Sequence, residues 1–328
     1  MLKSVMRMVV ALALVASSTF AMAEEYLDPQ LPVYRPVDKL EGKISLIGSD
    51  TMSQVVAVWK DSFKKFYPNV EVTIAVKGAT NAIPSVMKGE ATIGMLSREA
   101  THEEIEVFTA EKKYAPKLLV PSLERIGVYV SECNPIESLT LAQVDAIFST
   151  TRKRGEAKEY KTWGDLSVPG QLAKEKITLR GRSATTGSQG FFQAVVLQGG
   201  EFHKEMIPAK DNLTLVKEIA ADPTAIGFSG EIYQIPGIRA VPIAVKADEP
   251  AYAIDSLGDE HGTYPIIRPL QFVIDQAPDK ELPEAEREFL KYVFSKSGQE
   301  DVVKAGFHPI SSAPARTALG AVGLNTLN

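Results

Sequence analysis

The sequence predicts an α/β fold in two lobes joined by a hinge, and three observations predict it. Strand-like and helix-like segments alternate from end to end, the pattern of layered α/β domains. Roughly 300 residues remain once an N-terminal leader is set aside, enough for two domains of ordinary size. Two strand-like segments, 126–130 and 266–274, are placed to carry the chain out of a first lobe and back into it. A hydrophobic content of 45% and an aromatic content of 8% fit an ordinary globular chain. The single cysteine, Cys133, has no internal disulfide partner, so a packed core must hold the fold.

Residues 1–23 carry Lys3 and Arg7, an apolar run over 8–15, and Ala21-Met22-Ala23, which reads as a Sec signal peptide cut before Glu24. A periplasmic product is expected, with further secretion a second possibility. The cut site carries no lipoprotein cysteine, and no later apolar run is long enough to span a bilayer. The Pro-rich stretch 27–36 reads as an extended arm, so 24–42 is set apart from the lobes. Lobe one is expected over 43–130 with 265–328, and lobe two over 131–264, with crossings near Ser131 and Tyr264.

Within the first lobe, a short strand over 44–47 precedes Met52, Val55, Val56, Trp59, Phe63 and Phe66 at helical spacing. Strands follow over 70–76 and 92–95, then a polar-faced helix over 101–114. Thr140 caps a helix through Phe148, and 152–161 reads as a charged loop. A strand over 177–180 is next, then a helix over 213–220 stopped by Pro223. Short strands over 226–228 and 238–243 lead to the returning strand, and helices over 284–294 and 299–304 close the chain. No internal repeat or low-complexity tract is present.

Chemistry concentrates in three turns of one design. Arg182-Ser183-Ala184-Thr185-Thr186-Gly187-Ser188 puts one guanidinium four residues before a Thr-Gly-Ser turn. The apolar positions Phe191, Phe192, Val195 and Val196 fit a helix beginning near Thr186. The first N–H groups of such a helix lack intrahelical partners, so with two hydroxyls and Arg182 they form a cradle for a small oxyanion. Ile47-Gly48-Ser49-Asp50-Thr51 and Lys77-Gly78-Ala79-Thr80-Asn81 place small polar residues at two more strand-to-helix turns. Each alone is ordinary helix capping; the three together point to a ligand.

These residues, with Ile93-Gly94-Met95-Leu96-Ser97-Arg98 and the segment from Asn134-Pro135-Ile136 through Leu139-Thr140 to Ile147-Phe148, make the chain similar to the periplasmic phosphate-binding proteins of bacterial phosphate ABC transporters. The resemblance runs from about Lys43 to about Ile310. It implies the two-lobed periplasmic-binding-protein fold, an anion site in the interlobe cleft, inorganic phosphate as ligand, and a membrane permease as partner. The phosphate-binding set it implies is Ser49, Asp50, Thr51, Ala79, Thr80, Ser97, Arg98, Arg182, Thr186, Gly187 and Ser188.

Three positions depart from the family pattern. Thr186-Gly187-Ser188 stands for Ser-Gly-Thr, which keeps both hydroxyls. Ala184 stands where many members carry an acidic residue that holds the arginine, so Arg182 must find another orienter or be held more loosely. Ser97-Arg98 stands where some members place the carboxylate that accepts the proton of phosphate; Asp50 is the nearest replacement.

The formal charge is −5 for the full chain and, without Lys3 and Arg7, −7. An acidic protein does not gather anions by its overall field, so local dipoles and hydrogen bonds must hold the ligand. The same sign, and the brevity of Lys112-Lys113 and Arg152-Lys153-Arg154, argue against nucleic acid. His102, His203, His261 and His308 lie at no metal-ligand spacing. Gly187-Ser188-Gln189-Gly190 lacks the first glycine of a nucleophile elbow, and no phosphate loop of the Lys-Ser/Thr kind is present. The expectation is a monomeric binding protein, not an enzyme, with no cofactor and no metal. Two alternatives stand beside phosphate transport: another tetrahedral oxyanion such as sulfate, molybdate or a phosphonate, and a secreted adhesion or biofilm protein that retains the fold.

Overall fold

Strand β1 (Gly42–Gly48) sits between β2 (Val70–Val76) and β3 (Ile93–Leu96), parallel to both. The computed structural model describes residues 27–256 and 264–324; the expected signal peptide and His261 lie outside them. Helix α1 (Asp50–Phe66) crosses from β1 to β2 and buries Met52, Val55, Val56, Trp59 and Phe63, the spacing read from the sequence. Phe66 is the exception, at 44% exposed, because it lies at the helix end. A 3₁₀ turn (Ala79–Asn81) and α2 (Ala82–Met87) link β2 to β3, and α3 (His102–Lys112) follows with a Thr101/Glu104 capping box.

Strand β4 (Lys117–Ser131) is 15 residues long and belongs to both lobes. Its first half pairs with β11 (Ile267–Ile274), from Lys117↔Ile274 to Arg125↔Ile267. Its second half pairs with β8 (Ala225–Gly230) from Ile126 and with β9 (Ile238–Ala240) from Tyr129. The sequence reading finds only 126–130 of this strand, because Pro121 and the Glu124-Arg125 pair interrupt the apolar pattern. In the second lobe, α4 (Leu141–Phe148) is capped by Thr140 as expected. Strand β5 (Leu139–Thr140) pairs with β10 (Ile243–Ala244), and β6 (Thr178–Gly181) lies between β8 and β7 (Ile207–Pro208). Helix α6 (Asn212–Ala221) packs on this sheet. The strand order is β2-β1-β3-β11-β4-β8-β6-β7, with β9 also against β4.

Two principal apolar cores result. The first gathers Trp59, Phe63, Phe272, Phe289 and Tyr292, with α7 (Glu284–Val293) and α8 (Lys296–Lys304) on one face; Phe108, Leu96 and Val273 form a smaller cluster. The second gathers Phe148, Trp163, Phe192 and Phe228, with Phe192 stacked on Phe228 at 3.8 Å between ring centroids. Ile126, Val128, Tyr129 and Val130 pack in this second core. The stretch 27–36 is extended but not separate: Leu27, Leu31 and Tyr34 are buried in the first core. Asp28 accepts a 2.8 Å hydrogen bond from the Ser312 N–H, tying this arm to α9 (Ser312–Ala321). That last helix, rich in Ala and Ser, has too few large apolar residues to show a period.

Candidate functional site

At the end of β1, Gly48 adopts φ +146°, and a Cβ there would collide with the Met95 backbone. Only glycine lets β1 run this close to β3 while the Ser49 N–H donates to Met95 O at 2.9 Å. Ser49 is the N-cap of α1, its hydroxyl accepting from the Met52 N–H. Asp50 is the first helical residue. Ser49 Oγ also donates to Ser97 Oγ at 2.8 Å, and both serines are fully buried. The second turn is tied to the first, since the Lys77 and Gly78 N–H groups both donate to Gly48 O, at 3.1 and 3.0 Å. Ala79 is buried and Thr80 is exposed.

The third turn comes from the other lobe. Thr186 caps α5 (Gly187–Phe191), which continues as a π-helical turn over Phe192–Val196. The Thr186 hydroxyl accepts from the Gln189 N–H and donates to Ser183 O at 2.9 Å, so its proton is engaged within its own turn. Gly187 is pressed against Ser97: an added Cβ would overlap Ser97 Oγ. A Cβ on Gly190 would lie 3.3 Å from Arg98 Cδ. Residues 97 and 98 of the first lobe thus touch the start of α5 in the second.

The cations divide sharply. Arg98 forms a two-pronged pair with Glu104, at 2.8 and 2.7 Å, and donates to Glu99 O at 2.8 Å. Burial pushes the Glu104 carboxyl up, but the Arg98 hydrogen bonds and charge, together with the hydrogen bonds from Thr101, outweigh it and hold the group below its ordinary range. Arg98 is therefore committed to its own lobe and contributes its stem to the wall. Arg182 is different. Its side chain is 4% exposed, and Nη2 donates to Asp50 Oδ2 at 3.0 Å across the cleft. Its Nε and Nη1 have no protein partner among the described residues. A buried guanidinium with three unassigned N–H groups is built to receive an acceptor such as an oxyanion. Asp50 supplies the orienter that Ala184 cannot.

Sequence reasoning missed a second buried pair behind the first turn. Arg268 on β11 and Glu124 on β4 are both fully buried. Arg268 Nε donates to Glu124 Oε2 at 2.8 Å, Nη1 to Ser97 O at 2.7 Å and Nη2 to Thr51 Oγ1 at 3.3 Å. Burial pushes the Glu124 carboxyl up, opposed by Arg268. The available signal was charge inside two otherwise apolar strands, one arginine in Ile266-Ile267-Arg268-Pro269-Leu270 and an acid–base pair in Leu123-Glu124-Arg125-Ile126. Of the remaining histidines, His102 is exposed beside Glu106, and His308 pairs with Glu231. Among the described residues no group of three or more His, Cys, Asp or Glu could hold a metal ion, and no helix is long and apolar enough to cross a membrane.

Comparison with known proteins agrees with this architecture. The model of the PBP superfamily domain matches residues 35–297. The phosphate-binding protein PstS of Pseudomonas aeruginosa is 34% identical over 319 residues, 97% of this chain and 99% of that one. PstS of Bacillus subtilis is 23% identical, covering 84% of this chain and 83% of its own. Among solved structures, a putative phosphate ABC transporter substrate-binding protein from Clostridium perfringens, with bound phosphate, superimposes with a TM-score of 0.64 at 20% identity, over 82% of this chain and all of that one. An ABC-type phosphate transport receptor from Vibrio cholerae gives a TM-score of 0.64 at 19% identity over the same shares. Two lobes built on a shared long strand, three turns facing one another, and a relative alike along nearly its whole length place this chain in the PBP superfamily, as a member of the PstS family of phosphate-binding proteins.

Proposed function

We propose that this chain captures inorganic phosphate between its lobes and delivers it to the permease of an ABC transporter. The observation that carries the reading is Arg182, buried, oriented by Asp50, and left with Nε and Nη1 free of partners among the described residues. The proposed contacts are the Thr51, Ser97 and Ser188 hydroxyls, Thr80 and the backbone of Ala79 at the second turn, Gly187 at the third, and Arg182. Ser49, Thr186 and Arg98 shape the site, since their polar groups are engaged by Ser97, Ser183 and Glu104. Binding suits this geometry better than turnover, as no nucleophile with an adjacent base stands among these groups.

The bodies 43–130 with 265–328, and 131–264, would close on the ligand about β4 and β11, as hinged binding proteins do. The closed form is then the one a permease recognises. The leader read over 1–23, the 34% identity to a PstS protein and the binding role together support a protein working outside the cytoplasmic membrane. Calorimetry on phosphate-stripped protein tests the reading: phosphate should bind with one site per chain, and sulfate or molybdate should bind far more weakly. Absence of heat with phosphate, or tighter binding of sulfate, overturns it.

A further inference from the structure

We propose that Arg268, clamped by Glu124, is a positioning residue that sets the proton direction of Thr51 and so makes its hydroxyl an obligate donor to the anion. The inference rests on the phosphate reading above. A guanidinium carries donors only, so at the 3.3 Å contact between Arg268 Nη2 and Thr51 Oγ1 the threonine oxygen must accept. Its own hydrogen then points elsewhere. No protein oxygen accepts it among the described residues, although Thr51 is fully buried. The same logic holds one residue away. Ser49 Oγ accepts from the Met52 N–H and gives its proton to Ser97 Oγ, which leaves the Ser97 hydrogen free to turn toward the cleft. Arg268 also donates to Ser97 O at 2.7 Å, so one side chain fixes the end of β3 and the start of α1 together.

Glu124 makes this possible. It takes Nε and Nη2 of Arg268 on one oxygen, leaving the guanidinium in a single plane with Nη1 aimed at Ser97 and Nη2 at Thr51. A donor held ready in a buried site needs no reorganisation when a charged acceptor arrives, which is where hydrogen bonds are strongest. The pair sits on β4 and β11, the two strands that run between the lobes, so the hinge itself carries the ordering element. With Thr51 and Ser97 committed as donors, Asp50 is the one carboxylate on the three turns able to accept a proton from the ligand.

A double-mutant cycle tests the coupling. Thr51→Val should weaken phosphate binding about tenfold or more in otherwise wild-type protein, the loss expected for a hydrogen bond to a charged acceptor, and Thr51→Ser should stay within about threefold of wild type. Replacing the buried pair by Arg268→Met with Glu124→Met, an exchange that buried ion pairs tolerate, should leave melting near wild type and still weaken phosphate. In that background Thr51→Val should cost less than about threefold. Arg268→Lys provides a second background, since one ammonium cannot reach Glu124, Ser97 O and Thr51 Oγ1 at once; there too the Thr51→Val penalty should shrink. An equal Thr51→Val penalty in all backgrounds overturns the positioning role. A wild-type protein that gives no heat with phosphate overturns the phosphate reading instead, so the two failures are distinct.

Discussion

Asp50 and Arg182 lie 132 residues apart in sequence and meet at 3.0 Å across the cleft. Each comes from the start of its lobe's cradle, so the pair measures closure as well as orienting the cation. Asp50 Oδ1 accepts from the Thr51 N–H at 2.9 Å and Oδ2 from Arg182. A carboxylate has room for about four such bonds, which leaves lone pairs for a protonated ligand oxygen.

Arg182→Ala should weaken phosphate binding tens- to thousands-fold, because truncating one partner of a buried, hydrogen-bonded charge pair costs about 2–5 kcal/mol. Titration calorimetry reads this directly. Binding within about threefold of wild type would remove Arg182 from the site.

The three turns, most strand and helix positions, the cap at Thr140 and the helix start near Thr186 were legible because each is local, a matter of spacing and cap chemistry. Arg182 stood out by its place before a Thr-Gly-Ser turn. What the sequence hid was long-range pairing. Arg98 looks like a ligand cation until Glu104 closes on it. Arg268 looks like a stray charge inside one strand, and Glu124 like a break before another, until β4 and β11 align in antiparallel register, Glu124 opposite Arg268. The burial of Leu27, Leu31 and Tyr34 likewise depends on a first core assembled from both ends of the chain.

Gly187→Ala should obstruct closure. The added Cβ would strike Ser97 Oγ, a contact made between lobes, so the cost of overpacking, about 1–3 kcal/mol, falls on the closed form. Phosphate affinity should drop about fivefold or more, and X-ray scattering with saturating phosphate should stay nearer the ligand-free curve. Wild-type compaction in this variant would show that the two turns do not meet in solution.

Phosphate itself should raise the melting temperature of the wild type. A ligand that binds only the folded form stabilises it by mass action, about 2.7 kcal/mol at a hundred times Kd. A melting curve unmoved by phosphate at that excess would argue against specific binding.

Glu286 on α7 gives a pH signature unrelated to the site. Burial pushes its carboxyl up to about 7. A carboxyl whose folded pKa is raised favours the folded state below its unfolded value, near 4.5, and that contribution is lost as pH rises through about 7. Glu286→Gln should therefore melt increasingly above wild type from pH 5 to pH 8, with a gain of up to about 3 kcal/mol at 1.36 kcal/mol per pKa unit. A pH-independent difference would place Glu286 in contact with water.

Selectivity should depend on Asp50. Near neutral pH phosphate carries at least one proton and sulfate carries none, so a carboxylate facing the anion accepts a hydrogen bond from the first and repels the second. Size separates these near-isosteric anions poorly, whereas an unpaired polar group can reject the wrong ligand by about 10⁴–10⁵. Asp50 also holds Arg182, so Asp50→Asn should act twice: the amide loosens the guanidinium, weakening phosphate, and donates to an unprotonated oxygen, admitting sulfate. The helix start should survive, because Ser49 rather than Asp50 caps α1. Competition calorimetry on wild type and Asp50→Asn separates the two effects. If phosphate weakens while sulfate stays excluded, Asp50 serves only to orient Arg182, and the proton of phosphate is accepted elsewhere.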